Sequence, residues 1–204
     1  MIPKIFVLFG SPRKNGYTAR MLEYFFECWG GDDIKKHTVI FNAYDAGIKP
    51  CIHCGHCKKI RGCIYDDFIP VEQGLNTADI LIVASPVYGL GFPSPLKAVF
   101  DRAQQYFEAK FSLGIGTPVS KHKAALFFAS CGSADGSGAA MMKKQLLLEF
   151  RLFNAELLQT VVLRNTDNID FDKGLIAAGM KGAARRVKRY LTSFLDEMKD
   201  TRRF

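Results

Sequence analysis

The sequence predicts an α/β fold, a three-layer α/β/α sandwich in which helices cover both faces of a five-stranded parallel sheet. Strand-like apolar runs alternate with helix-like segments from one end of the chain to the other, a pattern typical of β–α–β units. The central runs are almost continuously apolar, as expected for strands covered on both faces. No internal repeat or linker interrupts the 204 residues, so we expect one domain spanning residues 1–204.

The individual elements follow from length and hydrophobic spacing. The segments with the character of buried strands are Lys4–Gly10, Lys36–Asn42, Asp79–Ser85, Lys123–Ala129 and Glu156–Leu163. Helical spacing of apolar residues predicts helices over Thr18–Trp29, Phe68–Asn76, Ser94–Tyr106, Ala139–Phe153 and about Lys173–Met198. Gly30 and Gly31 follow the first helix, where a left-handed cap is expected. Since ligands of such folds bind beyond the carboxyl ends of the strands, we expect the functional site in the loops after strands one to four.

Composition and charge narrow the class of function. A hydrophobic fraction of 48% and a charged fraction of 24% are ordinary for a soluble globular protein. The apolar runs are too short to cross a bilayer, and the first run lacks the basic leader of a signal peptide, so we expect a cytoplasmic protein without a membrane partner. The net charge of +8 is densest near the C-terminus, where Arg185, Arg186 and Arg189 recur at helical spacing. This spacing indicates a solvated helix face rather than a nucleic-acid interface.

The loop after the first predicted strand has the features of an anion site. Residues 10–18, called the phosphate loop, read GSPRKNGYT and lead directly into a helix. The unpaired N–H groups and the dipole of a helix N-terminus favour an anion there. Ser11 and Thr18 add hydroxyl donors, and Arg13 adds a charged fork. The loop lacks both the G-K-[ST] ending of a Walker loop and the G-x-G-x-x-G pattern. The alternative to an anion site is an ordinary strand-to-helix turn in which a hydroxyl caps the helix.

Two further loops suit a planar ring. Residues 85–95, called the ring loop, read SPVYGLGFPSP, and their glycines, prolines and aromatic residues predict a rigid, shaped segment. Such a loop can supply the flat apolar wall and the backbone donors that a flavin ring needs. For Tyr88 considered alone, the alternative to contact with a ring is that its side chain only fills space in a turn. Residues 130–138 read SCGSADGSG, and small residues of this kind let the backbone approach a ring edge.

These loops resemble those of the NAD(P)H-dependent FMN reductases and iron–sulfur flavoproteins of the flavodoxin-like superfamily. The resemblance rests on Gly-Ser-Pro-Arg at 10–13 with Gly16 and Thr18, and on Ser-Pro-Val-Tyr at 85–88 with Leu96, Lys97, Phe100, Asp101 and Arg102. It implies a flavodoxin-like fold with strand order 2-1-3-4-5, FMN as cofactor, NAD(P)H as co-substrate, and a homodimer or homotetramer. The cofactor-binding residues that it implies are Ser11, Arg13, Asn15, Gly16, Tyr17, Thr18, Pro86, Val87, Tyr88 and Gly89, together with Ser130 and Gly132 by position alone. Tyr17 stands where family members often carry Asn.

Four of the six cysteines, Cys51, Cys54, Cys57 and Cys63, lie in the loop after the second predicted strand. Their compact spacing suits an iron–sulfur cluster such as [4Fe–4S], and it resembles the motif of the iron–sulfur flavoproteins. Because His53 and His56 are interleaved with the cysteines, a zinc site is a second interpretation. The third is a set of metal-free thiols, as in flavin reductases with a similar cysteine loop that shapes the flavin pocket or forms a reversible disulfide.

The leading hypothesis is therefore an FMN-dependent NAD(P)H oxidoreductase that passes electrons from reduced nicotinamide to a small-molecule or protein acceptor. No side chain is expected to be catalytic, because the flavin carries the chemistry. An alternative is an iron–sulfur flavoprotein that carries electrons to a protein partner, and a weaker one is a thiol-based redox or metal sensor. The basic charge and the sequence of the phosphate loop argue against a plain flavodoxin.

Overall fold

The five strands form one parallel sheet in the order β2-β1-β3-β4-β5. The computed structural model describes residues 2–116 and 118–200, with side chains of the last helix described to residue 193. The strands are β1 (Ile5–Phe9), β2 (Thr38–Asn42), β3 (Ile80–Pro86), β4 (Lys123–Ser130) and β5 (Ala155–Leu163). This sheet confirms the predicted fold class and strand order.

Helices connect the strands and cover both faces of the sheet. Within the described residues they are α1 (Tyr17–Trp29), α2 (Asp32–Lys35), α3 (Ala43–Ala46), α4 (Ile69–Thr77), α5 (Ser94–Arg102), α6 (Gln104–Phe111), α7 (Ser137–Leu152) and α8 (Ala177–Asp200). Single 3₁₀ turns lie at His56–Lys58, Asp66–Phe68 and Lys173–Leu175. None of these helices is both long enough and apolar enough to span a bilayer.

Successive side chains along each strand point to opposite faces of the sheet, and this divides the core into two layers. On β1, Phe6 and Leu8 pack with apolar residues of α4, α5 and α7. Their neighbours Ile5, Val7 and Phe9 pack on the other face with α1 and α8. The sheet is therefore buried on both faces, which explains why its central strands are apolar at almost every position.

The structure corrects the predicted helix Ser94–Tyr106, which is two helices. α5 ends at Arg102, and the tight turn at Ala103 is closed by a hydrogen bond of 2.9 Å from the N–H of Ala103 to the carbonyl of Phe100. α6 then continues to Phe111, beyond the predicted end. The last helix begins at Ala177, since the predicted start at Lys173 lies in a 3₁₀ turn.

The first helix ends where its glycines predict. The N–H groups of Gly30 and Gly31 both donate to the carbonyl of Phe26, at 3.0 and 2.8 Å. Gly31 has a φ of 61°, in the left-handed region that glycine adopts at low cost. α1 therefore ends at Trp29.

Candidate functional site

Four segments at the carboxyl edge of the sheet, those that follow β1, β3, β4 and β5, line a cavity of about 270 Å³, called the edge cavity. Its lining consists of Ser11, Arg13, Gly16, Tyr17, Thr18, Pro86, Val87, Tyr88, Ser130, Gly132, Thr166 and Asp167. All the predicted cofactor-binding residues except Asn15 and Gly89 therefore meet around one space. Asn15 instead lines a groove of about 950 Å³ beside α1 and β2.

The phosphate loop is held in a compact turn that leaves the start of α1 open. The N–H of Gly16 donates to the carbonyl of Arg13 at 3.2 Å, and the N–H of Arg13 donates to the hydroxyl of Ser11 at the same distance. Gly16 is the N-cap residue and supplies no side chain to cap the helix. The first-turn N–H groups thus lack a side-chain cap, which suits them to bind an anion. Arg13 is exposed at the rim.

Ser130, the last residue of β4, contacts both the phosphate loop and the ring loop. Its hydroxyl and that of Thr18, the second residue of α1, form a buried hydrogen bond of 2.7 Å. Its carbonyl accepts a hydrogen bond of 2.8 Å from the N–H of Val87 in the ring loop. The end of β4 therefore fixes the phosphate loop and the ring loop relative to each other.

The ring loop closes as a tight turn at its tip. Tyr88 and Gly91 exchange backbone hydrogen bonds, both of 2.9 Å. The two residues between them, Gly89 and Leu90, have φ values of 52° and 65°. Gly89 does not line the edge cavity, but its left-handed conformation shapes the turn that presents Tyr88. The Tyr88 side chain is 46% exposed at the mouth of the cavity.

A second tyrosine lies near Tyr88. Tyr44, on the single turn α3, is 37% exposed. Partial burial raises the pKa of Tyr44, and the neighbouring hydroxyl of Tyr88 raises it further. The Tyr44 hydroxyl therefore stays protonated at neutral pH and adds no charge beside Tyr88.

Sequence reasoning missed Thr166 and Asp167, which line the edge cavity from the segment after β5. The N–H of Thr166 donates to the carbonyl of Cys131 at 3.0 Å. Asp167 lies so close to Gly132 that a Cβ atom there would be 2.1 Å from its Oδ2 atom. The segment also holds Tyr17, whose hydroxyl donates to the carbonyl of Ile169 at 2.5 Å. The topology rule would have indicated this loop had it been applied to strand five as well.

The four clustered cysteines line a second cavity, of about 30 Å³. Residues 49–67, called the cysteine loop, form one side of it, and α6 contributes Gln104, Gln105 and Glu108. The residues described for this cavity and those described for the edge cavity do not overlap.

The thiols are gathered, but the space between them is small. Cys51 and Cys54 are exposed, Cys57 and Cys63 are half-buried, and all four are free thiols. Burial raises the pKa of Cys57, and the Glu108 carboxylate raises it further. Within the described chain, no three Cys, His, Asp or Glu side chains converge as a metal ion requires. A volume of about 30 Å³ holds roughly one water. Cysteine thiolates are the ligands that iron–sulfur clusters use, but the cysteine loop would have to open to make room for a cluster.

A family model described as NADPH-dependent FMN reductase matches residues 3–166. The chain belongs to that family. The match includes the phosphate loop, the cysteine loop, the ring loop and the loop after β4.

Individual relatives agree with this family. The iron–sulfur flavoprotein of Methanosarcina thermophila is 32% identical over 111 residues, 54% of this chain and 57% of the relative. The chain thus spans about half the length of the curated relatives that it matches. The NAD(P)H:quinone oxidoreductase of Methanothermobacter marburgensis superposes with a TM-score of 0.67 at 20% identity, covering 94% of this chain and 96% of the other. An FMN-dependent NADH-azoreductase of Bacillus anthracis, solved with FMN, gives 0.58 at 15% identity, covering 92% and 99%. Both likenesses show the fold.

Proposed function

We propose that this member of the NADPH-dependent FMN reductase family binds FMN in the edge cavity and oxidises NAD(P)H, passing the electrons to a small-molecule or protein acceptor. The observation that supports the proposal is that an anion-binding helix start and a rigid, partly aromatic loop line the same cavity. When bound, FMN supplies the hydride and electron chemistry. The protein's residues bind, orient and shield it.

The phosphate would lie at the start of α1. The first-turn N–H groups of a helix favour an anion, and Ser11 and Thr18 line the same cavity. Arg13 is exposed and makes no ion pair among the described residues, so its guanidinium is free to form a charged fork with the phosphate. Lys14, by contrast, is engaged by Asp45 at 3.0 Å.

The ring would lie against Pro86, Val87 and Tyr88. Val87 is fixed by its backbone bond to Ser130, and α7 supports it closely, because a Cβ atom at Gly138 would lie 2.4 Å from its Cγ1 atom. A wall held this firmly orients a planar ring without having to order itself on binding. Gly132, in the loop after β4, lines the same cavity.

The matched pair Arg13→Met and Lys14→Met tests the phosphate site. Because a charge-assisted hydrogen bond is lost, we expect Arg13→Met to weaken FMN binding about tenfold. Lys14→Met alters the same loop outside the edge cavity and should leave affinity nearly unchanged. Affinity is measured by fluorescence titration, and turnover by the oxidation of NADPH and of NADH with a quinone or an azo dye as acceptor. Equal effects of the two substitutions, or no nicotinamide oxidation by the FMN-loaded wild type, would contradict the proposal.

One observation favours a second candidate function, an iron–sulfur flavoprotein that carries electrons to a protein partner. The four cysteines line one cavity, and several curated relatives are named iron–sulfur flavoproteins. Cys51, Cys54, Cys57 and Cys63 would hold the cluster, which supplies one-electron steps when bound. Iron and acid-labile sulfide are assayed after anaerobic purification. About four irons per chain, lost on Cys57→Ser, would support this function. A metal-free chain that still oxidises NADPH would contradict it and support the reductase function only.

A further inference from the structure

β2 is an edge strand of the sheet, and its outer edge is open. It pairs with β1 and, within the part of the chain that the structure describes, with no other strand. Two of its five residues, Val39 and Ile40, are 64% and 52% exposed. Native proteins usually protect an apolar edge strand of this kind, because its outward N–H and C=O groups readily pair with another strand.

The opposite edge of the sheet carries the protection that β2 lacks. β5 contains the charged Glu156, and its register with β4 shifts between Ala125 and Leu126, as at a β-bulge. Both features hinder the addition of a further strand. β2, by contrast, has neither a charged residue nor a proline, and it follows β1 in continuous register. The contrast favours a partner for the β2 edge.

The helices on one face of the sheet also stop short of β2. The core around α1 and α8 contains residues of β1, β3, β4 and β5, and no described residue of β2 belongs to it. Ile40 instead lines the groove of about 950 Å³, together with Leu22 and Phe26 of α1. This face of the β2 edge is therefore open to a neighbouring strand as well.

The outward backbone groups of β2 are arranged symmetrically about Ile40. The N–H of Ile5 on β1 donates to the carbonyl of His37 at 2.9 Å. Since the backbone groups of successive residues alternate in direction, the odd-numbered residues of β2 face β1, and Thr38, Ile40 and Asn42 face outward. Two antiparallel copies of this edge, with Ile40 opposite Ile40, bring Thr38 of each copy opposite Asn42 of the other. Each of these pairs then exchanges two backbone hydrogen bonds.

Charge selects the antiparallel arrangement. Lys35 and Lys36 precede β2, and Asp45 follows it. Antiparallel pairing brings the basic start of one strand toward the acidic end of the other, whereas parallel pairing would bring lysines together. The ion pairs that Lys36 and Asp45 make within the chain are exposed, so they are weak and leave both side chains available. On the other face, the exposed Val39 comes opposite Phe41 of the second copy, an apolar cross-strand pair.

We propose that two copies of this chain associate through their β2 edges and form one continuous sheet across a two-fold axis at Ile40. Five residues make a small interface, so the dimer forms reversibly, with a dissociation constant in the micromolar range. The inference is independent of the proposed function, because none of the residues described for the edge cavity belongs to β2.

Sedimentation equilibrium of the full chain tests the proposal. Ile40→Lys places two like charges face to face at the axis and should weaken self-association at least about 100-fold. The matched control Leu148→Lys changes another exposed apolar residue, on α7, and should leave association unchanged. Circular dichroism verifies that both variants fold. Equal association of Ile40→Lys and the wild type would overturn the proposal. So would a wild type that stays monomeric, which would leave the edge to an extended segment of another protein.

Two further measurements test the antiparallel register. A mixture of Ile40→Lys with Ile40→Glu should associate although each variant alone is monomeric, because the lysine and the glutamate lie opposite each other. In concentrated wild type, the outward amides of Thr38 and Asn42 should exchange hydrogen at least about tenfold more slowly than in Ile40→Lys, while the inward amide of Val39 exchanges equally in both. A mixture that stays monomeric, or equal exchange of the outward amides, would refute pairing through this edge.

Discussion

The hydrogen bond between Thr18 and Ser130 gives a direct test of how the candidate site is assembled. It joins the first turn of α1 to the end of β4, and both residues line the edge cavity. Replacing Thr18 with Val keeps the branched shape of the side chain and removes only the hydroxyl. Replacing Ser130 with Ala removes the other partner.

The expected loss of stability follows from the burial of the two hydroxyls. Thr18 is 2% exposed and Ser130 6%, so water cannot replace a lost partner easily. Leaving one buried hydroxyl unsatisfied costs about 1–3 kcal/mol, while the added methyl of Val returns part of this through apolar burial. We expect each single substitution to lower the free energy of unfolding by about 1–2 kcal/mol. The double variant should lose about 1 kcal/mol less than the sum of the two, because no orphaned hydroxyl remains.

Urea unfolding of the FMN-free chain, followed by circular dichroism, measures all three variants against the wild type. The denaturant dependence should stay constant, so that shifts in midpoint report stability. If the two single effects add to the double effect within about 0.3 kcal/mol, the hydroxyls are not coupled and the assembly described here is wrong. The same variants titrated with FMN should bind it more weakly than the wild type, since Thr18 also lines the proposed phosphate site.

Two further predictions concern positions outside the phosphate loop. Gly138→Ala should destabilise the chain and weaken FMN binding, because a Cβ atom would lie 2.4 Å from Cγ1 of Val87 and 3.1 Å from Cα of Leu90. Gly182→Ala in α8 should instead stabilise the chain by up to about 1 kcal/mol, because a Cβ atom there meets open space. Urea unfolding of both variants shows whether the two changes in stability have opposite signs. Burial raises the pKa of Glu149 from 4.5 to about 7, although Lys97 opposes this shift. The folded chain therefore holds that proton more tightly than the unfolded chain and loses stability as pH rises through this range, so Glu149→Gln should be more stable than the wild type by up to about 3 kcal/mol above pH 7 and equal to it below about pH 4. Thermal unfolding across pH tests this, and a constant difference at all pH values would contradict it.

The architecture was readable from the sequence because its signals are local and strong. Apolar runs such as that of β3 exceed what an exposed strand would carry, and the glycines after Trp29 end α1 as they predict. The break between α5 and α6 left no such signal, because apolar spacing continues through Ala103 to Tyr106 without glycine or proline. The end of α5 instead carries the tertiary contacts of Arg102 with the cysteine loop, which local propensity does not encode.

The residues of the candidate site likewise differ in whether a local sequence signal predicts them. The phosphate loop is a contiguous motif whose chemistry can be recognised residue by residue. Asp167 has no motif around it and reaches the edge cavity only because β5 lies beside β4 in the sheet. Likewise, the spacing of the cysteines predicts that they cluster, but not that Arg102 and Asp67 fasten their loop. Contacts between segments distant in the sequence are fixed by topology and packing, not by local pattern.

The most direct test of the central claim compares the binding of FMN with that of riboflavin to the cofactor-free chain. The two ligands share the ring and the ribityl chain and differ in the phosphate, which the start of α1, Ser11, Thr18 and Arg13 are proposed to hold. Fluorescence quenching should show FMN binding at least about 100-fold more tightly than riboflavin, as the loss of several charge-assisted hydrogen bonds requires. Equal affinities, or no binding of either ligand, would contradict the assignment of the edge cavity to FMN.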